Sequence, residues 1–169
     1  AWMPAFLACM DITSSFAINT LSTGSVWTVY GSEANAQQGS ASTLGDVNGD
    51  GYSDIAITSS GAEQRGVVDV FYGSSAGYSN VANWSLTGQA PSNFLNRATL
   101  AGDVNGDGFS DMILGAPGYS GSLTANGMAY VFYGASNGFP TTADWWFEGE
   151  SSNNFFGQSV SSAGDINHD

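Results

Sequence analysis

The stretch GDVNGDG occupies residues 45–51 and recurs, letter for letter, at residues 102–108. A third copy begins as GDINHD at residues 164–169. The sequence carries 15 Asp and Glu residues against two Lys and Arg residues, which gives a net charge of −13. Eight of the 15 acidic residues lie in or directly after these stretches, so the acidity is concentrated at a few places. This charge argues against nucleic acids and anionic membranes as partners, because both bind proteins through Lys and Arg.

A second marker recurs with nearly the same period. The first Asp of the acidic stretch returns after 57 and then 62 residues, and a Trp-x-x-x-Gly motif precedes it by 19, 19 and 20 residues. The motif begins at Trp27, Trp84 and Trp145. Two unrelated markers in register over three copies indicate an internal repeat.

Each repeat contains four short segments that are rich in β-branched and aromatic residues. In the second repeat these segments are NWSLTG, NFLNRATLAG, DMILGAP and GMAYVFYG, and no helical periodicity accompanies them. The pattern predicts an all-β fold in which each repeat of about 60 residues forms one four-stranded antiparallel blade of a β-propeller. A β-sandwich and an open stack of hairpins are the alternatives.

Counting from the Trp, the chain divides into four segments. Residues 1–26 match the repeat poorly and are expected to end a preceding blade, 27–83 and 84–144 are repeats, and 145–169 is a truncated repeat. A partial propeller of about two and a half repeats cannot close a ring, which needs about four to eight blades. We therefore expect further blades in the same polypeptide, or assembly of the chain.

The acidic stretch has the form Asp-x-Asn-x-Asp-Gly-x-x-Asp, which is typical of a calcium loop. Alternate oxygen-bearing side chains can converge on one cation when the chain curls at the Gly, and hard oxygen donors without His or Cys favour Ca²⁺. We expect side-chain ligands at positions one, three, five and nine, and a backbone carbonyl at position seven. The predicted ligands are Asp46, Asn48, Asp50, Tyr52 and Asp54; Asp103, Asn105, Asp107, Phe109 and Asp111; and, in the truncated copy, Asp165, Asn167 and Asp169.

The residues of the loop suggest two other interpretations. A solvated turn without metal is the simplest, since Asn, Asp and Gly favour turns on their own. An EF-hand is excluded, because it needs an acidic ligand at position twelve and a following helix. Position twelve is Ile57 in one copy and Leu114 in the other, and both lie in strand-like sequence.

Around the third acidic stretch the sequence resembles an FG-GAP repeat. Phe156-Gly157 precedes Asp165 by nine residues, and Gly115-Ala116-Pro117 supplies the second half of the signature. The resemblance covers residues 27–169, although Phe94-Leu95, Gln37-Gln38 and Thr58-Ser59-Ser60 depart from the signature at packing positions. It implies blades like those of the seven-bladed integrin α-subunit propeller, with each acidic loop connecting the first two strands of a blade and binding Ca²⁺.

The resemblance also guides the functional expectation. It implies an extracellular or cell-surface module that binds a protein or glycan partner and has no catalytic activity of its own. Nucleophile elbows, Cys/His pairs and phosphate loops are absent from the sequence. The alternatives are an accessory part of a secreted enzyme whose catalytic domain lies elsewhere, and a structural spacer. Trp146, which has no counterpart in the other repeats, is a candidate for stacking on a sugar.

Overall fold

In a computed structural model, the described residues are 7–11, 15–19, 26–30, 39–59, 65–88 and 95–164. The predicted ligands Asp165, Asn167 and Asp169 lie outside them. The strands are β1 (Leu7–Asp11), β2 (Ser15–Asn19), β3 (Val26–Tyr30), β4 (Gly39–Gly45), β5 (Asp54–Ser59), β6 (Val67–Phe71), β7 (Trp84–Thr87), β8 (Arg97–Gly102), β9 (Asp111–Ala116), β10 (Met128–Phe132) and β11 (Trp145–Glu148).

The strands form three antiparallel sheets in which consecutive strands pair. Sheet I contains β1–β3, sheet II contains β4–β7 and sheet III contains β8–β11. The described residues contain no helix, and thus none that could cross a membrane. The all-β prediction is confirmed, and the two four-stranded antiparallel sheets are consistent with blades of a partial β-propeller.

Sheets II and III pack face to face, with β8 lying against β4 and β5. The inner strands β5, β6 and β9 are buried along almost their whole length, as expected for strands that are covered on both faces. Their shared core buries Leu44, Val68, Val70, Met112 and Leu114. A second cluster on the other face of sheet II contains Ile55, Ile57 and Phe71, with Trp27 of sheet I packed against it.

The Trp-bearing strands are the last strands of their sheets. β3, β7 and β11 end sheets I, II and III, so each sheet begins some ten residues after the Trp strand that precedes it. The segments 27–83 and 84–144 describe the period of the sequence and stay predictions as domain boundaries, whereas the sheets run from 39 to 87 and from 97 to 148.

Trp27 and Trp84 each pack onto the next sheet along the chain. The Trp27 ring lies 5.2 Å from that of Phe71, and the Trp84 ring lies 5.3 Å from that of Phe132, both edge to face. The indole N–H of Trp84 donates to the carbonyl of Pro140 at 2.9 Å, and that of Trp27 donates at the corresponding place in sheet II. The recurring Trp is therefore an inter-sheet contact.

Candidate metal-binding loops

The two complete acidic loops connect the first two strands of sheets II and III. The first runs from the end of β4 to Asp54, and the second runs from the end of β8 to Asp111. In both sheets the strand pairing shifts at a bulge directly before the loop, between Thr43 and Gly45 and between Leu100 and Gly102. A bulge re-aims the chain, so the same irregularity presents both loops in the same way.

The Asp at position one of each loop binds the backbone of its own loop. The Asp46 carboxylate accepts N–H groups from Gly49 at 2.7 Å, Asp50 at 3.0 Å and Gly51 at 2.7 Å. The Asp103 carboxylate accepts the three equivalent N–H groups at 2.8, 3.0 and 2.9 Å. Charge-assisted bonds of this kind are among the stronger ones in proteins, so position one organises the turn.

Positions three, five and seven form a second set of bonds within the loop. The amide nitrogen of Asn48 donates to Asp50 at 3.1 Å, and the backbone N–H of Tyr52 donates to the other oxygen of Asp50 at 2.9 Å. The second loop repeats both bonds with Asn105, Asp107 and Phe109, at 2.8 and 2.9 Å. The two loops thus share one hydrogen-bond pattern as well as one sequence.

The Asp at position nine is buried and joins the loop to the rest of its sheet. Asp54 is 0% exposed and accepts the N–H groups of Val47 and Gly73, both at 2.8 Å. Asp111 is also 0% exposed and accepts those of Val104 at 2.7 Å and Gly134 at 2.8 Å. The bond to Gly73 or Gly134 links the start of the second strand to the end of the third.

Burial raises the pKa of Asp54 from 3.8 to about 6, and the bonds from Gly73 and Val47 lower it in part. The neighbouring carboxylates of Asp50 and Asp46 raise it further. The pKa of Asp111 is raised for the same reasons. An ionised carboxylate at position nine is therefore costly, and a nearby cation would offset that cost.

The oxygen atoms of the loop side chains are of the kind that binds Ca²⁺, but in this structure they accept hydrogen bonds from the backbone. All predicted side-chain ligands carry oxygen, and the two complete loops contain neither His nor Cys, which favours Ca²⁺ over zinc or copper. Among the described residues, however, no three His, Cys, Asp or Glu side chains are grouped as a metal-binding cluster. The carboxylates of one loop face separate N–H groups, so calcium binding stays a prediction.

The first acidic loop is also bonded to sheet III. The backbone carbonyl of Asp46 accepts the N–H of Ser110 at 3.0 Å, and that of Val47 accepts the N–H of Ala135 at 3.0 Å. Ser110 belongs to the second acidic loop, so the two loops are in direct contact. A shift of the backbone in the first loop would therefore disturb hydrogen bonds between sheets II and III.

Sequence reasoning missed the N–H donors Gly73 and Gly134. Each ends a Phe-Tyr-Gly triplet, at 71–73 and 132–134. The recurrence of this triplet after each acidic loop was a usable signal, because an Asp buried at position nine needs a donor from outside its loop.

The two halves of the predicted signature meet in space. A Cβ atom on Gly115 would collide with the carbonyl of Gly157. The two segments therefore approach closely only because Gly115 lacks a side chain. At the corresponding place between sheets II and III stands Thr58, whose hydroxyl donates to the carbonyl of Asn96 at 3.1 Å. The departure from the signature at Thr58 therefore replaces close packing with a hydrogen bond.

Consecutive four-stranded meanders that pack face to face, each with an acidic loop between its first two strands, define blades of a β-propeller. The sequence pattern of the FG-GAP repeat matches residues 38–71 and 95–132. Each match covers the first three strands of a sheet, including its acidic loop. The chain thus contains FG-GAP repeats in two places, and the predicted family is confirmed.

The chain is similar to two kinds of curated protein. It is 31% identical to integrin alpha-6 of Gallus gallus over 144 residues, which cover 76% of this chain and 13% of that protein. It is 34% identical to phosphatidylinositol-glycan-specific phospholipase D of Mus musculus over 114 residues (61% and 14%), and 32% identical to the Homo sapiens protein over 142 residues (77% and 17%). The chain spans less than a fifth of the length of these relatives.

Proposed function

We propose that this chain is a calcium-stabilised segment of an extracellular β-propeller that serves as a binding module for a protein or glycan. The observation that carries the proposal is the pair of acidic loops, which share seven consecutive residues and one hydrogen-bond pattern. Turns that serve only to reverse the chain do not need the same three carboxylates and one amide in two places. The similarity to integrin alpha-6 supports a propeller segment of this kind.

Calcium would act on stability in this proposal. Asp46, Asn48 and Asp50 would supply side-chain oxygens, Tyr52 would supply its carbonyl, and Asp54 would close the site, with the equivalent residues in the second loop. The ion would supply positive charge in a nine-residue loop that carries three carboxylates. Each carboxylate has about four lone-pair positions, so those not used by the backbone remain for a cation.

The exposed face of sheet III supports a following blade as an intramolecular partner. Val47 is 0% exposed beneath sheet III, whereas Val104, at the same place in the second loop, is 55% exposed. Trp145 is 47% exposed, whereas Trp84 packs on Phe132 of the next sheet. The residues that sheet III covers on sheet II thus have exposed counterparts on sheet III, and a further repeat would cover them.

One observation favours a second candidate function. A similarity to phosphatidylinositol-glycan-specific phospholipase D covers 77% of this chain and 17% of that protein. This similarity supports an accessory propeller within a secreted enzyme, with catalysis outside the present sequence. Sequence of the rest of the polypeptide separates the two candidates, because further repeats favour the first and a catalytic motif favours the second.

Calcium titration by calorimetry tests the proposal. We expect about two sites in the complete loops, with dissociation constants of about 10⁻⁴–10⁻³ M, as in other extracellular modules. Asp107→Ala should abolish one site. The matched control is Asp144→Ala, which removes an acceptor bonded to the N–H of Tyr133 outside both loops and should leave both sites intact. Absence of heat at millimolar Ca²⁺ would refute calcium binding.

A further inference from the structure

A cleft lies between the outer strands of sheets II and III, away from the acidic loops. It encloses about 390 Å³ and is lined by Leu86 of β7, by Tyr119 and Tyr130, and by Trp146 and Glu148 of β11. Its size is that of a site for a small molecule or a terminal sugar. Together with Phe132, four aromatic residues and one carboxylate therefore line one concave surface.

The aromatic pair in this cleft is not required by the fold. Tyr130 is paired with Trp146 across β10 and β11, and the same register position in sheet II pairs Asp69 with Ser85. In sheet II that pair is polar, since the Ser85 hydroxyl donates to Asp69 at 2.6 Å. Two sheets of the same design thus carry a hydrogen bond at one place and two large aromatic rings at the other.

Packing between sheets also leaves Trp146 unexplained. The counterpart of Trp84 in sheet III is Trp145, whose side chain faces the opposite side of β11. Trp146 is 58% exposed and so presents much of its ring to the cleft. An exposed ring gains little for stability, whereas Trp is enriched where proteins bind partners, since it offers a rigid apolar face.

Glu148 supplies a fixed hydrogen-bond acceptor two residues along the same face of β11. One of its oxygens accepts the N–H and the hydroxyl of Ser122 at 2.7 and 2.8 Å, and the amide of Asn126 at 2.7 Å. Asn126 is buried and is itself held by the carbonyl of Gly149 at 2.9 Å. The side-chain bond from Asn126, followed by those from Ser122, lowers the pKa of Glu148, which keeps it ionised at neutral pH.

We propose that this cleft binds a neutral pyranose ring, stacked on Trp146 and Tyr130 and hydrogen-bonded through its hydroxyl groups to Glu148. The C–H face of a sugar matches an aromatic ring, and its hydroxyls donate to a carboxylate. A purely apolar ligand would cover the second oxygen of Glu148 without offering it a hydrogen-bond donor, which is costly. An anionic ligand would be repelled by Glu148 and by the net charge of −13. This proposal rests on the role of the chain as a binding module and names the class of its ligand.

The test is a titration of the Ca²⁺-saturated chain with cellobiose, lactose, mannobiose and chitobiose, followed by saturation-transfer NMR and by Trp fluorescence. We expect at least one disaccharide to bind with a dissociation constant of about 1 mM or tighter. The double variant Tyr130→Asp/Trp146→Ser installs the pair that sheet II already carries, so the fold should tolerate it, and binding should weaken at least tenfold. Glu148→Gln should also weaken binding.

Trp145→Ser is the matched control, because Trp145 is a neighbouring exposed Trp on the other face of the strand, and its loss should leave sugar binding unchanged. Binding of none of the four disaccharides, or equal loss in Trp145→Ser and in the double variant, overturns the proposal. Calcium calorimetry and sugar titration on the unmodified chain keep the two proposals apart. Retained calcium sites with no sugar binding refute only the sugar cleft, and sugar binding without calcium sites refutes only the role of the loops.

Discussion

Replacing Trp84 by Ala should destabilise the chain far more than replacing Trp145 by Ala. The Trp84 ring packs edge to face on Phe132 at 5.3 Å and on Phe139 at 5.7 Å, and its N–H donates to the carbonyl of Pro140. A fully buried Trp→Ala change costs about 3–5 kcal/mol. Because Trp84 is only half-buried, the transfer contribution is about 2 kcal/mol, and the two ring pairs add about 1 kcal/mol. The expected loss is about 3 kcal/mol.

Trp145 occupies the same place in its sheet, but among the described residues its one ring contact is with Phe147, at 6.2 Å. Its replacement should therefore cost less than about 1 kcal/mol. Urea unfolding followed by circular dichroism measures both losses, and at this chain length a loss of 3 kcal/mol lowers the melting temperature by about 6–12 °C. Equal losses in the two variants would refute the assignment of the recurring Trp to packing on the following sheet.

Three further predictions follow from the loops and the signature glycines. Gly115→Ala should lower the free energy of unfolding by about 2 kcal/mol, because the new methyl group meets the carbonyl of Gly157; unchanged urea unfolding would contradict this. Burial raises the pKa of Asp54 to about 6, so its neutral form stabilises the calcium-free chain below about pH 4, and this contribution, at most about 3 kcal/mol, is lost as pH rises through 6. Urea unfolding in EDTA from pH 4 to 7 measures this loss, and a gain in stability with rising pH would contradict the prediction. Removing Ca²⁺ with EDTA should lower the melting temperature and speed proteolysis within 46–54 and 103–111, and identical digestion with and without EDTA would count against a structural ion.

The period of the sequence predicted the number of strands per sheet but not where a sheet begins. A period has no origin, so counting from Trp84 and counting from β8 describe the same repeat equally well. What fixes the origin is hydrogen bonding: β7 pairs with β6, which precedes it, and β8 pairs with β9, which follows it. The linker between β7 and β8 is no richer in Gly or Pro than the other turns, so its sequence does not distinguish a connection between sheets from one within a sheet.

The two complete acidic loops lie between the first two strands of a sheet, as predicted from sequence, whereas the convergence of their carboxylates on a cation stays a prediction. A curled chain with alternate Asp and Asn side chains can direct its oxygens at a central cation or at its own N–H groups, and both arrangements need the same Gly positions. Spacing alone does not separate them. Likewise, the sequence marks Trp146 as unmatched, yet its pairing with Tyr130 and its distance from the inter-sheet contact depend on strand register, which no local motif encodes.

In this geometry, calcium binding at the first loop would also affect the packing of sheet II against sheet III. The loop that would hold the first ion also offers the carbonyls of Asp46 and Val47 to sheet III, and its buried Asp54 holds the end of β6 through Gly73. An ion that holds this loop in place would therefore also hold the part of sheet II that is hydrogen-bonded to sheet III. The gain from an ion is RT ln(1 + [L]/Kd), about 2.7 kcal/mol at a hundredfold excess over Kd. Because the first loop lies at the contact between sheets II and III, calcium should stabilise the pair of sheets more than it stabilises either sheet by itself.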